Sequence, residues 1–257
     1  ALNLDEASAK LNTLIAQPNL DPLLTAEIRQ TQGDICAESG QWLKATELYR
    51  TSLADFRSAG YQHQAAEVML SLGDAYRSLG IGTGGWHIPA YTDYYPWLRR
   101  LGQFWHWLLA LPFLITFALR GSLWRLPQPR YLAFYQNWML IRLYRTAQDW
   151  YEQARRAFEE LGDESGQLRA EQALAEIIHI FGDYDDALTR LTDLQKRPAA
   201  RDPYVWLWLN CKRAAVMIDQ KRLSEAQTIL NEALPRFREL GDLRREAVVL
   251  DLQAVAA

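Results

Sequence analysis

Small and apolar residues recur at helical spacing along most of this chain, in segments separated by glycine-marked turns. In residues 32–53, QGDICAESGQWLKATELYRTSL, Gly33 holds a small position in a first helix and Gly40 marks a turn. Ala45, Tyr49 and Ser52 then form the packing face of a second helix. The first-helix pattern returns at Leu72-Gly73-Asp74-Ala75-Tyr76, a step of 40 from Gly33 to Gly73, with Gly80 read as the next turn. Ala175, Ile178, Gly182, Ala187, Leu191 and Leu194 predict a further hairpin, and Ala214, Met217, Ala226, Leu230 and Ala233 the one after it. A second register comes from the turns Ala59-Gly60-Tyr61, Leu161-Gly162-Asp163 and Leu240-Gly241-Asp242. Thirteen residues beyond each turn glycine stands Gly73, Ala175 or Ala254, a small residue each time. Glycine ends each helix and aspartate caps the next after Leu161 and Leu240.

Small residues let paired helices approach closely, and larger ones fill the gaps a turn away. One such hairpin leaves an apolar face uncovered, so neighbours must stack. The arrangement resembles the tetratricopeptide repeat (TPR) superfamily in its longer, 40-residue form. The resemblance implies an all-α, right-handed superhelical solenoid: four hairpins, an N-terminal helix near residues 5–17 and a C-terminal half-hairpin from Leu243. It further implies a concave groove, lined by first helices, that takes an extended peptide or helix. The family's groove positions fall on Glu27, Gln30, Asp34 and Glu38, then Glu67, Leu70, Asp74 and Arg77. Arg169, Gln172, Glu176 and His179 follow, then Trp208, Cys211 and Asp219. This set is net acidic and lacks the Lys and Asn pattern that clamps a terminal carboxylate, so a basic or mixed-charge partner is expected.

The register breaks once. Turn to second helix is 5 residues elsewhere but 67 from Gly80 to Ala147, which places an insertion of 62 inside one hairpin. The chain thus divides into N-terminal repeats (1–80), an insertion (81–146) and C-terminal repeats (147–257). Residues 81–146 carry seven arginines and one acid, Asp93, for +6, whereas the whole chain is −3. Six of its ten tryptophans lie there too: Trp86, Trp97, Trp105, Trp107, Trp124 and Trp138. Residues 101–119, LGQFWHWLLALPFLITFAL, hold no charge; as a helix they would reach roughly 28 Å, near the thickness of a bilayer core. Trp97, Arg99, Arg100, Phe104, Trp105, Trp107, Leu108, Leu111, Phe113, Phe117, Arg120, Trp124 and Arg125 are the expected membrane or partner contacts, since tryptophan and arginine anchor at such an interface.

Both flanking helices belong to one hairpin, so any membrane crossings must be even in number. The other apolar stretch, residues 131–141, is too short to span. An in-plane or re-entrant helical hairpin kinked at Pro112 is therefore favoured. The alternatives are docking on another protein or packing on the chain's own solenoid.

Chemistry adds little. Residues 80–85, GIGTGG, lack the lysine and preceding strand of a phosphate loop. His63, His87, His106 and His179 are isolated in sequence, so no metal or other cofactor is expected. Cys36 and Cys211 read as reduced, buried residues. The pairs Asp185-Asp186 and Glu159-Glu160 fall on solvated faces, and no nucleophile context is present, so no catalysis is expected. The long uncharged run argues against nucleic acid, whose grooves interleave charge with aromatics. The expectation is a non-enzymatic scaffold or adaptor on the cytoplasmic side, peripheral or monotopic, attached through residues 86–135. The alternative is a regulatory or assembly subunit whose partner buries the insertion.

Overall fold

The computed structural model describes residues 4–15, 20–82 and 130–256. Among these every element is helical. In chain order they are α1 (Leu4–Ile15), α2 (Pro22–Glu38), α3 (Trp42–Ser58), α4 (Gln62–Gly82), α5 (Arg130–Leu161), α6 (Glu164–Ile180) and α7 (Tyr184–Leu194). A 3-10 turn (Pro198–Arg201), α8 (Pro203–Asp219), α9 (Leu223–Glu239) and α10 (Leu243–Ala256) complete the order. Hairpins α2/α3, α4/α5, α6/α7 and α8/α9 stack in sequence, α1 packs on α2, and α10 packs on α8 and α9. This is the all-α solenoid of stacked helical hairpins expected from the register. The expected contacts from Trp97 through Arg125, and the uncharged run of residues 101–119, lie outside the described residues. Among the described residues no helix is long and apolar enough to cross a membrane.

Six turns share one geometry. The amides of Gln41, Tyr61, Asp163, Asp183, Arg222 and Asp242 each donate to the carbonyl five residues earlier, at 2.8–3.2 Å. This closes the helix end with a left-handed residue, which recovers carbonyls that would otherwise lack a donor. Gly40, Gly60, Gly162, Gly182 and Gly241 take that position at φ +67° to +87°; in the α8–α9 turn Lys221 does so at φ 64°. A Cβ in this conformation costs about 1 kcal/mol. Lys221→Gly should therefore raise the unfolding free energy by about 1 kcal/mol in a urea titration, with an unchanged slope. Asp163, Asp183 and Asp202 cap the following helices through their side chains, and Pro203 opens α8 where no amide donor is needed.

The small positions of the first helices have a direct cause. A Cβ on Gly33 would stand 2.5 Å from Tyr49 Cε1, and one on Gly73 would stand 2.3 Å from Tyr151 Cε1. Each tyrosine ring lies against its glycine and donates its hydroxyl to the next residue along, Tyr49 to Asp34 at 2.7 Å and Tyr151 to Asp74 at 2.8 Å. Tyr151, Phe158, Phe56 and Phe237 are fully buried between helices, each contributing about 1.5–3 kcal/mol of apolar burial.

Two expectations are corrected. Gly80 is not a turn residue: it lies inside α4, where a Cβ would meet the ring of Tyr144 at 2.6 Å. The α4/α5 pair therefore extends past it, α5 begins at Arg130 rather than near Ala147, and residues 131–141 form part of that helix. Ala254 occupies the small register position but is exposed, because among the described residues no second helix presses against it.

Candidate groove site

The concave side encloses a cavity of about 450 Å³, walled by residues of α4, α5, α6, α8 and α10. Glu176 of α6 is its electrostatic centre. Arg77 of α4 pairs with one carboxylate oxygen, while Lys212 of α8 (2.9 Å) and the Gln172 amide (3.1 Å) engage the other. Burial alone would push the Glu176 carboxyl up, but Lys212 and Arg77 outweigh it and hold the group at about 2. Arg77 also donates to Asp74 at 3.1 Å, beside the Tyr151 hydroxyl. Burial is the main cause that lifts the Tyr151 hydroxyl well above the usual phenol value, with the Asp74 charge adding to it. At the α4/α6 rim Arg169 grips both oxygens of Glu67.

The α8/α10 wall is aromatic and cationic. Lys212 Nζ sits 4.5 Å from the Trp208 ring centroid, and the Arg245 guanidinium 4.7 Å from the same ring and 4.5 Å from Tyr204. Each such contact contributes about 0.5–2 kcal/mol, the larger values where water is excluded. Arg245 is anchored in turn by Asp242 and the Tyr204 hydroxyl. Farther out, Arg244 of α10 reaches Glu38 of α2 at 3.2 Å across 206 residues of sequence, so the solenoid curls enough for its first and last described repeats to meet.

Of the sequence-expected groove residues, Glu67, Leu70, Asp74, Arg77, Arg169, Gln172, Glu176 and Trp208 share this cavity. Glu27, Gln30 and Asp34 lie on α2 outside it, with Asp34 taken up by Tyr49. Asp219 and His179 pair with each other at 2.7 Å. Cys211 does not line the groove: it is 1 % exposed in the core, and burial pushes its thiol up to about 12. The cavity itself, a subset of those positions joined by others, is not net acidic. The cavity wall sets Arg77, Arg169, Lys212 and Arg245 against Glu67, Asp74 and Glu176, four cations to three carboxylates. Tyr204 and Lys212 stand off the family's fixed first-helix positions, Tyr151 comes from a second helix and Arg245 from α10, so the repeat pattern does not point to them.

The histidines are not all isolated in space. His63 and Glu67 share one face of α4, and the α5–α6 turn brings Asp163 to them, with His63 Nε2 3.1 Å from Asp163 Oδ2.

No family model matches this sequence, and no curated protein matches it. Among solved structures it is similar to the TPR2AB domain of yeast Sti1 in its pHSP90 complex, at 15% identity, covering 98% of this chain and 92% of that one with a TM-score of 0.34.

Proposed function

We propose that this chain is a non-enzymatic protein-interaction scaffold whose concave cavity holds a segment of a partner protein, and that residues 86–135 fasten it to the cytoplasmic face of a membrane. The observation that carries the first half is the cavity wall, drawn from successive first helices α4, α6, α8 and α10 and studded with paired charges and aromatic rings. Such a wall suits a peptide of mixed charge, because each incoming charge meets a counter-charge already oriented by a neighbour. Its three carboxylates are each engaged by a cation, so none stands ready as a general base. Membrane attachment rests on composition: the uncharged run of residues 101–119 flanked by tryptophan and arginine.

A photo-crosslinking side chain placed at Ser71 or Gln172, both in the cavity wall, should capture the same protein from a cell extract, and one at the exposed Glu160 should not. Capture that is equal at all three positions, or absent from all, overturns the groove reading. Vesicles with anionic lipid should sediment the full chain and leave a version lacking residues 86–129 in solution. Equal sedimentation of both forms, or of neither, removes the membrane role. Loss of one protein partner on the same deletion, without lipid binding, would favour the assembly-subunit alternative.

A further inference from the structure

We infer that His63, Glu67 and Asp163 form a binding site for a first-row divalent metal, with zinc the fitting case, which staples α4 to the α5–α6 turn. The three donors lie within 4.8 Å of one another. His63 and Glu67 stand four apart on one helix face, the spacing that aims two side chains at one point. Asp163 arrives from 100 residues away as the N-cap of α6.

The geometry fits zinc at its tightest edge. Bonds of about 2.0–2.2 Å to nitrogen and oxygen place neighbouring donors of a tetrahedral site roughly 3.3 Å apart, and His63 Nε2 is 3.1 Å from Asp163 Oδ2. The supporting groups are also in place. Asp163 Oδ1 accepts from the Gly166 amide at 3.0 Å, which leaves Oδ2 directed at His63. The His63 ring stands edge-on to the buried Phe158, centroids 5.8 Å apart. Glu67 has both oxygens on Arg169; turning one to the metal leaves the other hydrogen-bonded, as ligating carboxylates are usually held. One imidazole with two carboxylates is a donor set that accepts zinc and leaves a coordination position for water or a partner's side chain. Glu67 and Arg169 also line the groove, so the cluster adjoins it.

The site is separate from the proposed groove reading and is tested without a partner. Zinc titrated calorimetrically into the metal-free full chain should bind once per chain and raise its melting temperature. His63→Ala, Glu67→Gln and Asp163→Asn should each weaken binding more than tenfold, and His179→Ala should not. Asparagine preserves the helix cap, so Asp163→Asn should melt like the wild type in chelator. Cobalt in the wild type should show a spectrum of nitrogen and oxygen donors only. No binding by the wild type at micromolar zinc, unchanged affinity in all three variants, or a sulfur charge-transfer band would overturn the assignment.

Discussion

Gly73→Ala is expected to destabilise the solenoid by about 3 kcal/mol, the upper end of what overpacking a well-filled core costs. The added methyl would fall 2.3 Å from Cε1 and 2.5 Å from Cδ1 of Tyr151, an approach no side chain tolerates. The ring cannot swing aside cheaply. It is fully buried, and its hydroxyl is tied to Asp74 at 2.8 Å. The helices would have to separate at the centre of the α4/α5 hairpin. Urea unfolding followed by circular dichroism measures the loss. Tyr151→Phe keeps the ring and removes one hydrogen bond, so it should cost only about 1 kcal/mol. Adding Tyr151→Leu to Gly73→Ala should recover part of the larger loss, because the two sites share the same space. A Gly73→Ala protein as stable as the wild type would mean that the rings do not set the helix spacing.

Glu176→Gln comes next in size. Neutralising this carboxylate leaves Arg77 and Lys212 facing each other in a largely buried site without their shared counter-charge, a change expected to cost about 3 kcal/mol at neutral pH. The same pair of cations predicts the acid response. The folded value of about 2 lies below the ordinary 4.5, so this carboxylate's contribution is complete above about pH 5 and disappears as pH falls through about 2. The gap between the two values corresponds to about 3 kcal/mol. Wild-type stability should therefore fall between pH 5 and 2, and Glu176→Gln should lower the neutral plateau and flatten that part of the curve. A curve of the same shape in both proteins would show that Glu176 does not carry the acid sensitivity.

The repeat was readable because its devices are local. A left-handed glycine at five of the six such turns, followed by an aspartate cap after Gly162 and Gly182, acts within one turn of chain, so the glycine leaves its letter at the same offset in most hairpins. The small position followed too, since close approach of two helices demands it wherever it falls. Gly80 shows where local reading fails. Glycine serves both as a left-handed terminator and as a floor for an aromatic ring, and only the arrival of Tyr144, 64 residues later, makes it the second. Ala254 fails in the opposite way: its letter fits the register, but no helix among the described residues buries it.

The groove was partly legible for a related reason. Residues projecting from first helices are set by helical period, and Glu67, Asp74, Arg77, Arg169 and Glu176 do share one cavity. Its charge was not legible, because that depends on how far the solenoid curls. Curl brings Arg245 and Lys212 onto the wall and Arg244 to Glu38, and it results from small rotations accumulated over every hairpin interface. Helix order and hairpin stacking were legible in the letters, although not the bounds of α4 and α5, because capping, periodicity and small-residue spacing act within a few turns of chain. Only the tertiary structure decided which distant side chains meet: Tyr144 on Gly80, Asp163 beside His63, and two cations on Glu176. Such meetings follow from the packing of whole helices, and no short stretch of chain encodes them.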